Sequence, residues 1–166
     1  MKEFLEGRRF GFALRPQLGH IATGLAIAVT LLDLMAWFGW GARDTNGFVI
    51  ADAWLAVATA VVAILATITA LAEVSDAAAE DRSLARLDVL AVFVTFLLYA
   101  ASAGLRITDL SAAGASPGAV VAAFAGLVVL LIDGAIAATL YSSREWAVLD
   151  EEEYEPRRHQ KRRRAS

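Results

Sequence analysis

Four long apolar blocks, residues 21–40, 48–72, 87–105 and 117–142, alternate along this chain with short polar stretches. Each block runs 19 to 26 residues and holds at most two formal charges, mostly near an end. About 20 apolar residues at a helical rise of 1.5 Å cover a hydrocarbon core of roughly 30 Å. The pattern therefore predicts an all-α, integral membrane protein. Because all three connections are short, the four helices are expected to pack as an antiparallel bundle. The domain organisation that follows is a basic amphipathic arm at 1–17, a four-helix transmembrane domain at 18–146 and a charged tail at 147–166.

Lys and Arg in the short flanks set the expected orientation. The N-terminal arm carries Lys2, Arg8, Arg9 and Arg15, and the middle loop carries Arg82 and Arg86. The C-terminal segment adds Arg144, Arg157, Arg158, Lys161, Arg162, Arg163 and Arg164, whereas the two remaining loops hold only Arg43 and Arg106. Thirteen against two predicts that both termini are cytoplasmic, in the inner membrane of a bacterium. Trp37, Trp40 and Trp54 then fall at the outer interface, with Trp146 just past the inner one.

Composition agrees with the block pattern: 58% of the 166 residues are hydrophobic, more than a soluble domain of this length usually has. The first apolar run is too long for the core of a signal peptide. The chain has no cysteine, which removes disulfides, thiolate metal sites and a thiol nucleophile. The segment GARDTNG at 41–47 has the glycines and Asn-Gly of a turn. EVSDAAAEDRSLAR at 73–86 is polar and rich in helix formers, as expected of helix extensions around a bend. Ser116-Pro117 supplies a capping serine followed by a proline in the first helical position.

Lipid tails are as apolar as leucine, so close backbone approach at small residues drives helix association in a membrane. Gly118, Ala122, Gly126, Gly134, Ala138 and Ser142 recur at four-residue spacing in the last block, broken by Leu130. Ala58, Ala66 and Ala70 form a second stripe. These faces suit packing within the bundle, against other membrane subunits or against a second copy. In the tail an acidic block precedes Arg157, Arg158, Lys161, Arg162, Arg163 and Arg164. A solvated, disordered terminus is the simpler reading. Binding of anionic lipid, at about 1 kcal/mol per basic residue near the surface, is the functional one. No specific nucleic-acid contact is expected.

Ionisable groups inside a membrane are the strongest functional pointers, since each costs on the order of 2.5–3.5 kcal/mol at mid-helix. Asp33 lies in the outer half of the first helix and Asp133 in the inner half of the fourth, so these two need not pair. Asp52, near the outer end of the second helix, is placed to share a proton or a water with Asp33. His20, Glu73, Asp76 and Asp88 gather at the inner ends of helices one to three, with Tyr141 at the inner end of helix four. One reading makes this a proton or quinone-headgroup site with His20 as acid–base and Tyr141 as hydrogen-bond donor. The other makes them interfacial residues, solvated or paired with Arg15, Arg82 and Arg86.

No cofactor is expected. Haem or pigment held through His20 is the alternative, but the second histidine, His159, is in the tail, so one chain cannot supply a facing pair. The ligands of a metal cluster are equally short, and no nucleophilic triad, phosphate loop or glycine-rich nucleotide motif appears.

The segment Arg15-Pro16-Gln17-Leu18-Gly19-His20-Ile21-Ala22 leading to Asp33 resembles the start of an uncharacterised bacterial four-helix membrane family (domain of unknown function 2231). Pro16, His20 and Asp33 match its pattern, while Arg15, Ile21 and Ala22 depart from it. Asp52-Ala53-Trp54 through to Asp76, and Leu140-Tyr141, are similar too. The family's histidine near the start of helix three is replaced here by Asp88 as the nearest polar residue. The resemblance, covering residues 14–148, implies a four-helix integral membrane domain and an electron-transfer association.

The leading expectation is a small polytopic, non-catalytic accessory subunit of a larger respiratory or photosynthetic membrane complex. A redox- or proton-handling subunit using His20, Asp33 and Asp133 is the alternative. A small-solute transporter is the third, although no discontinuous helix or inverted repeat is evident.

Overall fold

Apolar periodicity and sharp end signals divide the chain into four helices: α1 Leu14–Trp37, α2 Gly47–Val74, α3 Arg82–Ile107 and α4 Pro117–Arg164. The structure is a computed structural model describing residues 14–41, 47–74, 79, 81–108, 110–111 and 114–164, those from 141 onward by backbone alone. No strand occurs among the described residues.

The helix ends follow local chemistry. After α1 the amide of Gly39 donates to Ala36 O and that of Trp40 to Met35 O, both at 3.0 Å, while Gly39 has φ +75°. This pair of bonds around a left-handed glycine closes the last turn and satisfies carbonyls the helix leaves open. At the start of α4, Ser116 Oγ accepts from the amide of Ala119 at 3.3 Å, as expected of a serine cap before Pro117.

All four helices are long and apolar enough to cross a membrane, including the Pro117–Leu140 part of α4. The distribution of side chains is inverted relative to a water-soluble bundle. Ala22, Ala26, Ala56, Ala63, Ala66, Ala119 and Ala123 are buried, while Leu31, Leu65, Leu90, Phe124 and Leu131 face outward. Small residues inside and large apolar residues outside are what packing in lipid favours. Trp37, 80% exposed, Trp40 and Trp54 also point out.

Each helix packs on the next, and α4 returns to α1, so α1 and α3 lie on a diagonal. The α1–α4 seam is the least extensive of the four. The stripes that line the interior are Arg15, Ala22, Ala26, Val29 and Asp33 on α1, and Ala85, Asp88, Val92, Thr95, Tyr99, Ser102 and Arg106 on α3. Three- and four-residue steps keep each stripe on one face. Tyr99 is the largest apolar body in the core, and it fits because Gly126 on α4 has no side chain: a Cβ there would sit 2.6 Å from the ring.

Two boundaries differ from the sequence-based expectation. α1 begins at Leu14, not at 18, which draws Arg15 into the helix and the bundle. α4 continues past residue 146 to Arg164, where the sequence suggests a coil. Its Glu-, Arg- and Lys-rich stretch has straight-chain side chains that lose little freedom in a helix.

Candidate functional site

The α1 and α3 stripes each carry one basic and one acidic residue, one toward either end, in opposite order. Arg15 and Asp33 are 18 residues apart on α1, and Asp88 and Arg106 are 18 apart on α3. Eighteen residues are five turns, about 27 Å of rise, so both charges of each helix share a face. The N-terminal ends of the two helices bring Arg15 to Asp88, and their C-terminal ends bring Asp33 to Arg106.

At one end Arg15 grips Asp88 at two points, with Nε donating to Oδ2 at 3.1 Å and Nη2 to Oδ1 at 2.8 Å. Nη2 also donates to Asp133 Oδ2, from α4, at 2.7 Å. At the other end Arg106 donates from Nη1 to Asp33 Oδ1 at 2.8 Å and from Nη2 to Asp33 Oδ2 at 2.7 Å. Nη1 donates as well to Asp52 Oδ2, from α2. Arg106 Nε donates to Ser102 Oγ at 3.1 Å, and that hydroxyl donates across to Ala119 O on α4 at 2.8 Å.

Both guanidiniums are almost fully enclosed, Arg15 at 1% and Arg106 at 2% exposure. A planar fork matched to a carboxylate is the geometry in which a buried charge pair recovers most of its desolvation cost. Each cluster joins three helices and crosses the bundle's diagonal, so the two act as staples at either end of a small-residue core. Each also holds two carboxyls against one guanidinium. Asp52 Oδ1 and Asp133 Oδ1 are buried without a hydrogen-bond partner among the described residues, as is the Tyr99 hydroxyl. The threonines Thr23, Thr30, Thr59, Thr67 and Thr95 instead bond back to carbonyls of their own helices, which satisfies them without linking helices.

Two grooves lie along the α1–α4 seam. One, of about 370 Å³, is walled by Leu34, Trp37, Val120 and Phe124, with Asp33 behind. The other, of about 380 Å³, is bordered by Arg15, Gly19, His20, Thr23, Asp133 and Gly134.

Among the expected site residues, Asp33 and Asp52 do come together, on Arg106, and Asp133 stands apart from them at the other cluster. Asp88 is paired with Arg15, one of the partners considered for it. His20 is exposed on the second groove's wall. Asp76, and the side chains of Tyr141, His159, Arg157, Arg158, Lys161, Arg162, Arg163 and Arg164, lie outside the described residues. Arg106 is the residue sequence reasoning passed over, counted there as a loop charge. The 18-residue spacing to Asp88, mirrored by Arg15 and Asp33, is the signal that identifies it. Among the described residues no group of three His, Asp or Glu side chains is placed to hold a metal ion.

Comparison with protein-family models, with curated proteins and with solved structures finds no match to this chain.

Proposed function

We propose that this chain crosses the inner membrane of a bacterium four times as an antiparallel bundle with both termini in the cytoplasm, and that it serves as a non-catalytic accessory subunit packed against a larger membrane assembly. One observation carries the reading: the six ionisable side chains Arg15, Asp33, Asp52, Asp88, Arg106 and Asp133 are engaged with one another in two clusters. Intramembrane charges are expensive, and here their coordination fixes which helices meet and in what register. The outward faces carry Leu31, Leu65, Leu90 and Phe124, surfaces suited to lipid or to neighbouring helices. The arginine asymmetry of the flanks supports the orientation, and the basic tail is suited to anionic lipid.

Purification from native membrane in mild detergent tests the proposal. Co-migrating membrane chains in fixed ratio are expected, and a stable solitary monomer overturns it. A reporter enzyme active only outside the cytoplasm, fused after Ser166, is expected to be silent.

A second reading, a proton-handling subunit, is favoured by the two carboxyls per guanidinium and by the unpartnered oxygens of Asp52 and Asp133. On this reading one of the two carboxyls takes up and releases a proton, the protonated cluster being the neutral form that a low-dielectric site favours. An electron-transfer role through His20, in keeping with the resemblance at Pro16, His20 and Asp33, requires a chromophore. An absorption spectrum of the purified protein, with and without His20→Ala, decides it.

A further inference from the structure

We propose that the groove beside Arg15 binds a primary ammonium group, as carried by an ethanolamine phospholipid headgroup. The site is built, not merely hollow. It encloses about 380 Å³ between α1 and α4, and its walls include Arg15, His20 and Asp133 alongside Gly19, Gly134 and Ala138. Asp133 is only 2% exposed, and while its Oδ2 accepts from Arg15, its Oδ1 has no partner among the described residues. A buried carboxylate oxygen without a donor is costly, and a charged donor is the strongest remedy.

Charge selects the ligand class. The cluster sets one guanidinium against two carboxyls, and Arg15 already donates to both of them. An anionic headgroup therefore meets surplus negative charge and donors already engaged. A primary ammonium supplies both the missing positive charge and the missing N–H. The His20 ring adds a nitrogen able to accept a second hydrogen bond when neutral. Depth agrees, because Arg15 is in the first turn of α1, where a helix that crosses the membrane meets the headgroups. Gly134, with no side chain, and Ala138, with only a methyl, leave room in the groove for the group to enter. The groove at the opposite end lacks these features: both oxygens of Asp33 are held by Arg106, and Asp52 is not on its wall.

The test uses the full-length chain in detergent, offered phosphatidylethanolamine, phosphatidylcholine and phosphatidylglycerol of matched acyl chains, with retention read by native mass spectrometry. A charge-assisted hydrogen bond predicts about tenfold preference for ethanolamine over choline, whose ammonium has no N–H. Phosphatidylglycerol should be retained least. Asp133→Asn removes the charge, and Gly134→Leu fills the groove from a position whose Cβ meets no atom within 4 Å. Either variant that keeps wild-type helical content by circular dichroism should lose the preference. Free ethanolamine is added in a parallel arm. If it saturates the site at low millimolar concentration and displaces the lipid, the physiological source is a soluble amine; if it does not compete, the source is the lipid. Equal retention of the three lipids, retention of none without ethanolamine binding, or an unchanged preference in the folded variants overturns the proposal. None of these results bears on whether other subunits co-migrate.

Discussion

Arg106 and Asp33 meet as two parallel forks, at 2.8 and 2.7 Å, across the diagonal of the bundle. Asp52 meets the same guanidinium through one oxygen only. The two carboxylates therefore carry different shares of the cluster. Asp33→Asn, which breaks a two-point pair, is expected to cost about 3 kcal/mol, near the lower figure for opening a buried ion pair. Asp52→Asn keeps one accepting oxygen and should cost less than half as much. Thermal unfolding of both variants in detergent ranks them, and equal losses would contradict the asymmetry.

The whole cluster is expected to be more dispensable than any one member. Replacing Arg106, Asp33 and Asp52 together by Met, Leu and Leu removes three desolvated charges at once. The triple variant should unfold within about 1 kcal/mol of wild type, or above it, whereas Arg106→Met alone leaves two buried carboxylates opposed and fails. A triple variant as unstable as the single one would show that the ion pairs themselves carry the stability.

Tyr99 on α3 packs over Gly126 on α4. A methyl at Gly126 would lie 2.6 and 2.9 Å from ring atoms that are fully buried and have nowhere to move. Gly126→Ala should cost about 1–3 kcal/mol, the usual range for overpacking. Gly19→Ala meets only the end of the Arg15 side chain, at 2.9 Å, and should cost less. The ratio of the two unfolding shifts is the measurement.

Tyr99→Phe deletes a hydroxyl that is buried with no hydrogen-bond partner among the described residues. Removing an unsatisfied group while keeping the ring should leave stability unchanged or raise it by up to about 1 kcal/mol. A clear loss on thermal unfolding in detergent would mean that the hydroxyl is hydrogen-bonded.

Hydropathy alone made the four helices legible, because the length of an apolar run is a direct reading of bilayer thickness. Ser116-Pro117 as a helix start was legible for the same kind of reason: the chemistry is local. The clusters were legible only in part. Asp33, Asp52 and Asp133 stood out as charges inside apolar blocks, but Arg15 and Arg106 sat at block edges, where a long side chain reaching water is the cheaper expectation. What draws them inward is the carboxylate on a helix 73 residues away in each case, and such distant pairing leaves its trace only as matched spacings. His20 drew attention as a lone titratable ring, yet its place is on a groove wall.

The opposite polarity of α1 and α3 has a consequence for biogenesis. Within the two clusters each ion pair joins residues at least 54 positions apart, and the counter-ions of both α1 charges lie on α3 and α4. As the ribosome releases the chain, Asp33 and Asp52 both precede Arg106, and Arg15 precedes both of its counter-ions. The first two spans must therefore wait, uncompensated, beside the translocation machinery until the third arrives, and lateral release is tied to synthesis of the nascent chain's second half.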